Sequence, residues 1–288
     1  MMWLVRWLVW GVYVFSLNSY ADDVDIIALD AIVQPRIVIV IDDMGNNLVQ
    51  GEAALALPGP VTYAVLPHSA HGRQLALAAK RLGKDVMLHA PMANTQNLKL
   101  GPGALTPDLS EARFKEILNA GLDSVPYVTG LNNHMGSLLT RQRTPMRWVM
   151  EVANARGLFF LDSRTTIGSV AWETARSEGV PALSRDIFLD HEQTEAFLSR
   201  QFVRAVKIAR KFGTAIVIGH PYPITTKFLE KAIPALDEAG VQLVSAPALL
   251  MVHLLAARLV QLAKAAQLMD NAMLSGCDLS EGHECSAY

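Results

Sequence analysis

Cysteine is nearly absent from this sequence. Only two cysteines occur among 288 residues, Cys277 and Cys285, and both lie close to the C-terminus. A disulfide between them would close a small terminal loop, so it could not stabilise the main core. Since the C-x-x-C spacing is also missing, the cysteines predict neither a redox motif nor a structural zinc site.

Basic tracts, internal repeats and low-complexity segments are absent as well. The formal net charge of -2 gives no electrostatic basis for binding nucleic acid. The chain is rich in apolar residues instead, because hydrophobic types make up 51% and charged types 18%. This composition supports a large core, in one large α/β domain or two small ones.

The N-terminus has the pattern of a secretory signal peptide. Arg6 precedes an apolar run, WLVWGVYVFSL, and Ser19 and Ala21 supply the small residues of a cleavage site. We expect residues 1–21 to be removed, which predicts a periplasmic or secreted protein, and residues 22–35 to be a linker. An uncleaved anchor is the alternative, although the run is shorter than the ~20 apolar residues that span a bilayer.

Apolar runs alternate with helical patterns over residues 36–247. The predicted strands are RIVIVID, VTYAVLP, KDVMLHAPM, YVTGLNNH, LFFLDSR, DIFLDH, TAIVIGHP and VQLVSA. Most runs are continuously apolar, which favours a mostly parallel sheet covered on both faces. Strands alternating with helices predict a closed or nearly closed (β/α) barrel, with an open doubly wound sheet as the alternative. Over residues 248–288 the sequence pattern predicts a long helix at 248–274, followed by a flexible tail.

Polar side chains stand at the C-terminal ends of six predicted strands. They are Asp42 and Asp43; His89; Asn132, Asn133 and His134; Asp162, Ser163 and Arg164; Asp190 and His191; and His220. In α/β folds ligands bind at this edge of the sheet. Six such ends therefore predict that these side chains converge on one site.

The residue types suit a metal-dependent hydrolase. A carboxylate and two imidazoles are a usual catalytic zinc or iron set that leaves a position for water. One of Asp42 and Asp43 would bind the metal, and the other would take a proton from the attacking water. The two acids can act separately only if the strand ends there, and Gly45 permits the turn. Asp190 and His191 are left without a role.

Each of these residues also has a purely structural interpretation. Asp42 and Asp43 could cap the following helix, and Asp162 and Arg164 could form a structural ion pair. The amides could be turn residues, and the histidines could be satisfied core or strand-end residues. The combination favours a functional site more than any single residue does.

The motifs resemble those of the divergent polysaccharide deacetylase family, a branch of the carbohydrate esterase and deacetylase barrels. The segments that carry the resemblance are IDDMG, MLHAPM, GPGAL, NNHMGS, FLDSRTT, FLD and IGHP, in that order. They extend over roughly residues 35–247. The resemblance implies a distorted (β/α) barrel of the NodB-like type that acts on a cell-envelope polysaccharide.

The resemblance also implies roles for single residues. In the wider group the first motif supplies a base and then a metal ligand, which fall on Asp42 and Asp43. The second motif has two histidines about one helical turn apart. Here it supplies His89 alone, so His134 from the next strand end is the substitute ligand.

The remaining roles follow from the later motifs. The last motif implies that His220 is the general acid. The wider group has an arginine near the site, but NNHMGS contains none, so Arg164 is the candidate by residue type. Asp162 would orient these groups or the sugar together with Arg164. The resemblance thus implies a metal-dependent deacetylase, with zinc as the expected ion and an N- or O-acetyl group as the target.

Two other functions stay open, the first because the second-motif histidine is missing and the second because little in the sequence separates it from amide hydrolysis. A catalytically silent envelope protein could use the barrel to bind a glycan or a protein partner, with the 248–274 helix as a contact surface. A metal-dependent hydrolase of another ester or of a phosphoester is the second alternative.

Overall fold

The computed structural model describes residues 34–274. The predicted signal peptide, most of the 22–35 linker and the tail that carries Cys277 and Cys285 lie outside the described residues. The chain divides into two compact units, one ending at Leu250 and the other beginning at Met251.

Nine strands occur among the described residues, all in the first unit. They are β1 (Arg36–Met44), β2 (Thr62–Val65), β3 (Asp85–Met92), β4 (Val128–Met135), β5 (Phe159–Asp162), β6 (Ala182–Ser184), β7 (Ile187–Phe188), β8 (Thr214–Gly219) and β9 (Gln242–Leu243). Eight of them coincide with the eight runs predicted as strands, whereas the short β6 was not predicted.

Helices connect most of the strands. They are α1 (Leu48–Leu55), α2 (Gly72–Arg81), α3 (Glu111–Ser124), α4 (Arg143–Ala155), α5 (Ala171–Ser177), α6 (Glu195–Phe212), α7 (Pro223–Ala232), α8 (Ala235–Glu238) and α9 (Ala246–Leu274). Helices α7 and α8 are separated by a break at Ile233 and Pro234. Pro234 stands at the break, since it has no N–H to continue the helical hydrogen bonds.

The strands form one parallel sheet in the order β6-β5-β4-β3-β2-β1-β8-β7, and β9 pairs with the beginning of β1. Over residues 34–274 the end strands β6 and β7 do not pair with each other, so the curled sheet is not closed. This architecture confirms the prediction of a distorted (β/α) barrel.

The central strand β1 is buried on both faces. Ile37, Ile39 and Ile41 pack in the core layer beneath the helices, while Val38 and Val40 pack in a second cluster formed by the interior of the curled sheet. Each such side chain stabilises the fold by about 1.5–3 kcal/mol when fully buried. Because both faces need apolar residues, the strand is a continuous apolar run.

Local sequence signals set both ends of helix α6, which precedes strand β8. Thr194 caps its N-terminus by accepting a hydrogen bond from the backbone N–H of Phe197 at 3.2 Å. Gly213 ends the helix with a left-handed φ of 87°. Strand β8 begins directly afterwards, at Thr214, and carries the chain to His220.

Helix α9 begins within the first unit. Ala246 and Leu249 belong to the interior cluster and are 0% exposed, and the N–H of Ala246 donates to Thr62 Oγ1 at 3.0 Å. The helix starts two residues before the predicted 248. By length and composition alone, Ala246–Ala265 is apolar enough to cross a membrane.

In the second unit the helix exposes apolar side chains. These are Met251, Leu254, Leu255, Leu259, Val260, Leu262 and Leu268, each at least 46% exposed. A helix with this many exposed apolar residues has a surface suited to contact with another molecule.

Candidate metal centre and active site

Asp42 and Asp43, near the end of β1, both place their carboxylates at the same edge of the sheet. Their backbone conformations differ. Asp42 continues the alternation of the strand, so it falls on the interior face with Val40. Asp43 has a left-handed φ of 55°, and the register with β2 shifts between Ile41 and Met44. Strand β1 continues to Met44, so it does not end at the acids as the sequence predicted. The irregularity at Asp43 instead lets this side chain face the site as well.

Gly45 makes the following turn possible. Its φ is 126°, and a Cβ there would lie 2.0 Å from Ser69 Oγ. Its carbonyl accepts a hydrogen bond from the backbone N–H of His71 at 2.9 Å. Asn47 then caps helix α1 by accepting from the N–H of Gln50 at 3.1 Å. The helix is therefore capped by Asn47, and the carboxylates of β1 are not its cap.

Three side chains from β1, β3 and β4 bring their donor atoms together. Asp43 Oδ1 lies 3.1 Å from His89 Nε2 and 2.8 Å from His134 Nδ1, and the two nitrogens are 3.1 Å apart. His89 comes from β3 and His134 from β4. One oxygen and two nitrogens thus form a compact triangle.

This triangle fits a metal ion. Bonds of 2.0–2.1 Å at tetrahedral angles place ligand atoms about 3.3 Å apart, close to the observed spacing. Asp43 Oδ1 is buried and has no partner with hydrogen-bond geometry, although two imidazole nitrogens lie beside it. A buried oxygen without a partner is costly, and a cation would satisfy it.

The charges around the triangle shift the pKa values of the acids in opposite directions. Burial raises the pKa of Asp43, but the imidazoles of His134 and His89 outweigh burial and hold this pKa well below its usual range. Burial raises the pKa of Asp42, and the nearby His89 and His220 offset only part of this effect. Asp43 is thus the acid that stays ionised, and Asp42 is the more basic carboxylate.

Asn132 connects Asp42 to the triangle. Its Nδ2 donates to Asp42 Oδ1 at 2.8 Å, and its Oδ1 lies 2.7 Å from His89 Nδ1. Asn132 pairs with His89 across β4 and β3 and is 0% exposed. The three side chains therefore form a continuous buried hydrogen-bonded chain.

His220 lies on the other side of Asp43 and is held by Asp190. Asp190 Oδ1 is 2.9 Å from His220 Nδ1, while Oδ2 accepts from the backbone N–H of His220 at 2.6 Å and from Thr225 Oγ1 at 2.9 Å. His220 Nε2 is 3.9 Å from Asp43 Oδ2. This fixes the orientation of the imidazole.

Asp190 also changes the charge of this histidine. Burial lowers the pKa of His220, but the hydrogen bond and the charge of Asp190 raise it more, to about 9. The ring lies between two aromatic side chains, with centroid distances of 5.3 Å to Phe188 and 5.4 Å to Tyr222. His220 is therefore a protonated imidazole in a partly apolar wall of the site.

Asp162 and Arg164 lie apart from these groups. Asp162 shares the alternation of Phe160, which packs beneath the helices. Its Oδ1 accepts from the N–H of Arg164 at 2.8 Å and its Oδ2 from Ser169 Oγ at 2.7 Å. Within residues 34–274 the side chain of Arg164 forms no ion pair with a carboxylate. The alternative of a structural ion pair between Asp162 and Arg164 is thus replaced by a hydrogen bond from the backbone N–H of Arg164 to Asp162.

Comparison with known proteins identifies the family. Residues 39–250 match the model of the divergent polysaccharide deacetylase family. The chain belongs to this family. The assignment confirms the resemblance seen in the motifs, and the matched region contains all the strand-end residues described above.

Two relatives of this deacetylase-family chain come from Escherichia coli and Haemophilus influenzae. An uncharacterized protein of Escherichia coli K12, YibQ, is 38% identical over 198 residues, which cover 69% of this chain and 62% of the relative. An uncharacterized protein of Haemophilus influenzae Rd is 38% identical over 211 residues, covering 73% and 75%. The match thus extends over less than two thirds of the Escherichia coli protein.

A solved structure has the same fold. The crystal structure of an uncharacterized protein from Agrobacterium tumefaciens C58 aligns with a TM-score of 0.72 at 22% identity, covering 77% of this chain and 94% of that protein. The distorted barrel is therefore shared between chains of low sequence identity.

The sequence analysis of this deacetylase-family member left three residues beside the site without a role. Asn132 and Asp190 were predicted to converge with the other strand-end residues, but neither received a chemical role. Arg185 was not considered. Its guanidinium donates to the carbonyls of Ser163 at 2.6 Å and Arg164 at 2.7 Å. The i, i+2 spacing of Asn132 and His134 was the available signal, because it puts both on one strand face.

An open cleft of about 400 Å³ adjoins the triangle. The loops after β2 and β3 form its walls, and Asp43 and His134 are among its lining residues. Other lining residues include His68, Lys99, Leu100 and Pro102. The cleft therefore gives a ligand a path to the candidate metal site, between apolar and polar walls.

Proposed function

We propose that this protein is a metal-dependent deacetylase that removes N- or O-acetyl groups from a cell-envelope polysaccharide. The observation that carries the proposal is the triangle of Asp43, His89 and His134 between two further groups suited to proton transfer, Asp42 and His220. Family membership supports the same chemistry. The reaction is hydrolysis, so water adds to the acetyl carbonyl and acetate is released from the sugar.

The metal, with zinc as the expected ion, would be held by Asp43, His89 and His134. Their oxygen and two nitrogens are the donor set of catalytic zinc sites that keep a position for water. When bound, zinc supplies Lewis acidity, which makes water more acidic and polarises a carbonyl. To bind one ion, the three donor atoms must lie close together. The distances between them are 2.8–3.1 Å, which supports this arrangement.

Asp42 is placed to act as the general base. Asn132 binds Oδ1, whereas Oδ2 faces the triangle at 3.7 Å from His89 Nε2. Asp42 is 3% exposed, so competing bulk water is largely excluded. Oδ2 can therefore take the proton of the attacking water while Oδ1 keeps the carboxylate in position.

His220 is placed to act as the general acid. Because Asp190 is bound at Nδ1, the opposite nitrogen, Nε2, is directed toward Asp43. Nε2–H can donate a proton to the sugar nitrogen or oxygen as its bond to the acetyl carbon breaks. The base thus lies beside His89, and the acid lies beside Oδ2 of Asp43.

Asp162 and Arg164 have a less direct role in this proposal. They would position the segment after β5, since their contacts lie within residues 162–169 and Arg164 O accepts from Arg185. The polysaccharide would enter through the cleft beside Asp43. The predicted signal peptide supports action in the periplasm or outside the cell.

Metal content and acetate release test the proposal together. Purified mature protein should contain near-stoichiometric zinc and release acetate from N- or O-acetylated envelope glycans. The double variant Asp43→Ala/His89→Ala should lose both. His71→Ala is the matched control, because His71 forms no side-chain cap on helix α2 and lies outside the triangle. A wild-type protein that takes up no metal after reconstitution would end the proposal.

We also propose, as a second candidate, that the protein contacts an envelope protein through helix α9. The exposed apolar residues between Met251 and Leu268 favour this role. If the barrel is catalytically silent, this contact and glycan binding would be the whole function. Photocrosslinkers at Leu255 and Leu259 should capture one defined protein in cells, whereas Leu255→Asp/Leu259→Asp should abolish an interaction that Gln261→Asp preserves.

A further inference from the structure

One buried amide joins the candidate base to a candidate metal ligand. Asn132 pairs with His89 in the register of β3 and β4 and is 0% exposed. Its side chain reaches Asp42 Oδ1 at 2.8 Å and His89 Nδ1 at 2.7 Å. Both polar atoms of the amide are therefore used within the site.

The amide has a fixed polarity. Its Nδ2 can only donate and its Oδ1 can only accept. If the amide were rotated by 180°, its oxygen would face a carboxylate oxygen of Asp42, and two acceptors would repel each other. The orientation that satisfies Asp42 therefore places Oδ1 against His89.

This polarity selects the tautomer of His89. An acceptor at 2.7 Å requires that Nδ1 carries the proton. The lone pair of His89 is then on Nε2, the atom that lies 3.1 Å from Asp43 Oδ1 and 3.1 Å from His134 Nδ1. Asn132 thus directs the lone pair of His89 to the centre of the triangle.

We propose that Asn132 is a positioning residue that sets the His89 tautomer and orients Asp42 through one amide group. The inference rests on the proposed function, because it assigns a purpose to the His89 lone pair. Hydrogen-bond partners of metal-binding histidines fix ring orientation in this way. The same amide restrains the base, so the ligand and the base keep a constant relative position.

The neighbouring Asn133 is a matched control. It has the same side chain and is 1% exposed, but its amide binds the backbone instead. Asn133 Oδ1 accepts from the N–H of Ser163 at 2.9 Å, and Nδ2 donates to the carbonyl of Met135 at 2.7 Å. Substituting Asn133 removes a buried amide without touching Asp42 or His89.

The experiment compares Asn132→Ala with Asn133→Ala by two measurements. Competition with a chelator gives zinc affinity, and ¹⁵N NMR of the imidazoles, at a pH where they are neutral, gives the His89 tautomer. The His89 signal is assigned by its loss in His89→Gln. We expect Asn132→Ala to bind zinc about 10–100-fold more weakly and to lose the dominant Nδ1–H form. Asn133→Ala should keep both properties while melting at a lower temperature.

Unchanged zinc affinity and an unchanged Nδ1–H signal in Asn132→Ala would overturn the inference. If the alanine variant does not fold, Asn132→Asp replaces it, since a carboxylate has the same shape and still accepts from His89. That variant should keep the Nδ1–H form and lose acetate release, because Asp42 then faces a second acid. Retained acetate release would contradict the role. A wild-type protein that binds no zinc would instead contradict the proposed function, while the tautomer would still test Asn132.

Discussion

Asp42 and Asp43 are neighbours in the chain, yet their carboxylates have different partners. Asp42 is 3% exposed and is held by Asn132, whereas Asp43 places Oδ1 between His89 and His134. The left-handed φ of Asp43, 55°, makes this division possible. Successive residues of a regular strand would point to opposite faces of the sheet.

The triangle predicts that each histidine is required for metal binding. His134→Ala removes one of three donor atoms, and we expect zinc affinity to fall by more than the ~10–100-fold caused by loss of a ligand's hydrogen-bond partner. Elemental analysis and chelator competition measure the effect against His71→Ala. Undiminished zinc content in His134→Ala would remove His134 from the site.

The proposed base predicts that metal binding and turnover can be separated. Asp42→Asn keeps an oxygen that can accept from Asn132, so the local structure and the zinc content should remain. The amide cannot take a proton from water, and we expect the rate of acetate release to fall by about 10²–10⁴-fold. Acetate release at the wild-type rate, with zinc present, would show that Asp42 is not the base.

The pairing of Asp190 with His220 predicts a change in pH dependence. The acid form of His220 is lost as pH rises through its raised pKa of about 9. Asp190→Asn removes the charge that raises this pKa, so the alkaline limit of activity should move to lower pH. Thr225→Val is the control, because it removes one hydrogen bond to Asp190 and keeps the charge. If the alkaline limit of activity does not move in Asp190→Asn, a group other than His220 sets that limit.

Gly45 predicts a large loss of stability on substitution. Gly45→Ala combines a φ of 126° with a Cβ 2.0 Å from Ser69 Oγ. Backbone strain of about 1–3 kcal/mol and overpacking of about 1–3 kcal/mol should together lower the free energy of unfolding by about 2–6 kcal/mol. Gly83→Ala, at a φ of 67° with nothing within 4 Å, should show only the strain. Urea unfolding of both variants checks the difference.

Asp162 predicts an effect on stability without an effect on the metal. Asp162→Ala leaves Ser169 Oγ and the N–H of Arg164 without their acceptors, which should cost about 1–3 kcal/mol for each donor that stays buried. Zinc affinity should remain at the wild-type level. If zinc affinity falls while the melting temperature is unchanged, Asp162 acts on the site directly.

Much of the fold could be predicted from the continuous apolar runs and the residues that bound them. The run from Ile37 to Ile41 predicted a buried parallel strand, which the structure confirms as part of β1. Strand β6 was missed, since Ala182–Ser184 is too short to show a period. This segment is a strand because it pairs with β5, which lies about 20 residues earlier in the chain, and a local sequence pattern does not show such a pairing.

The candidate site was only partly readable for a related reason. Chemical type and strand-end position pointed to a metal site at these strand ends. The family resemblance implied Asp43, His89 and His134 as its ligands, and the structure brings these three together. The same reasoning grouped Asp162 with them and assigned no role to Asp190. Both are strand-end acids, but Asp190 binds His220, whereas Asp162 binds its own loop.

Residue order therefore specified eight of the nine described strands and the polar groups that stand near their C-terminal ends. It could not specify which face of each strand is the barrel interior, because both faces are apolar and buried. Asp162 lies with Phe160 beneath the helices, and Asn132 lies with His89 at the site. That difference arises from strand register and sheet curvature, which depend on packing between segments far apart in the chain.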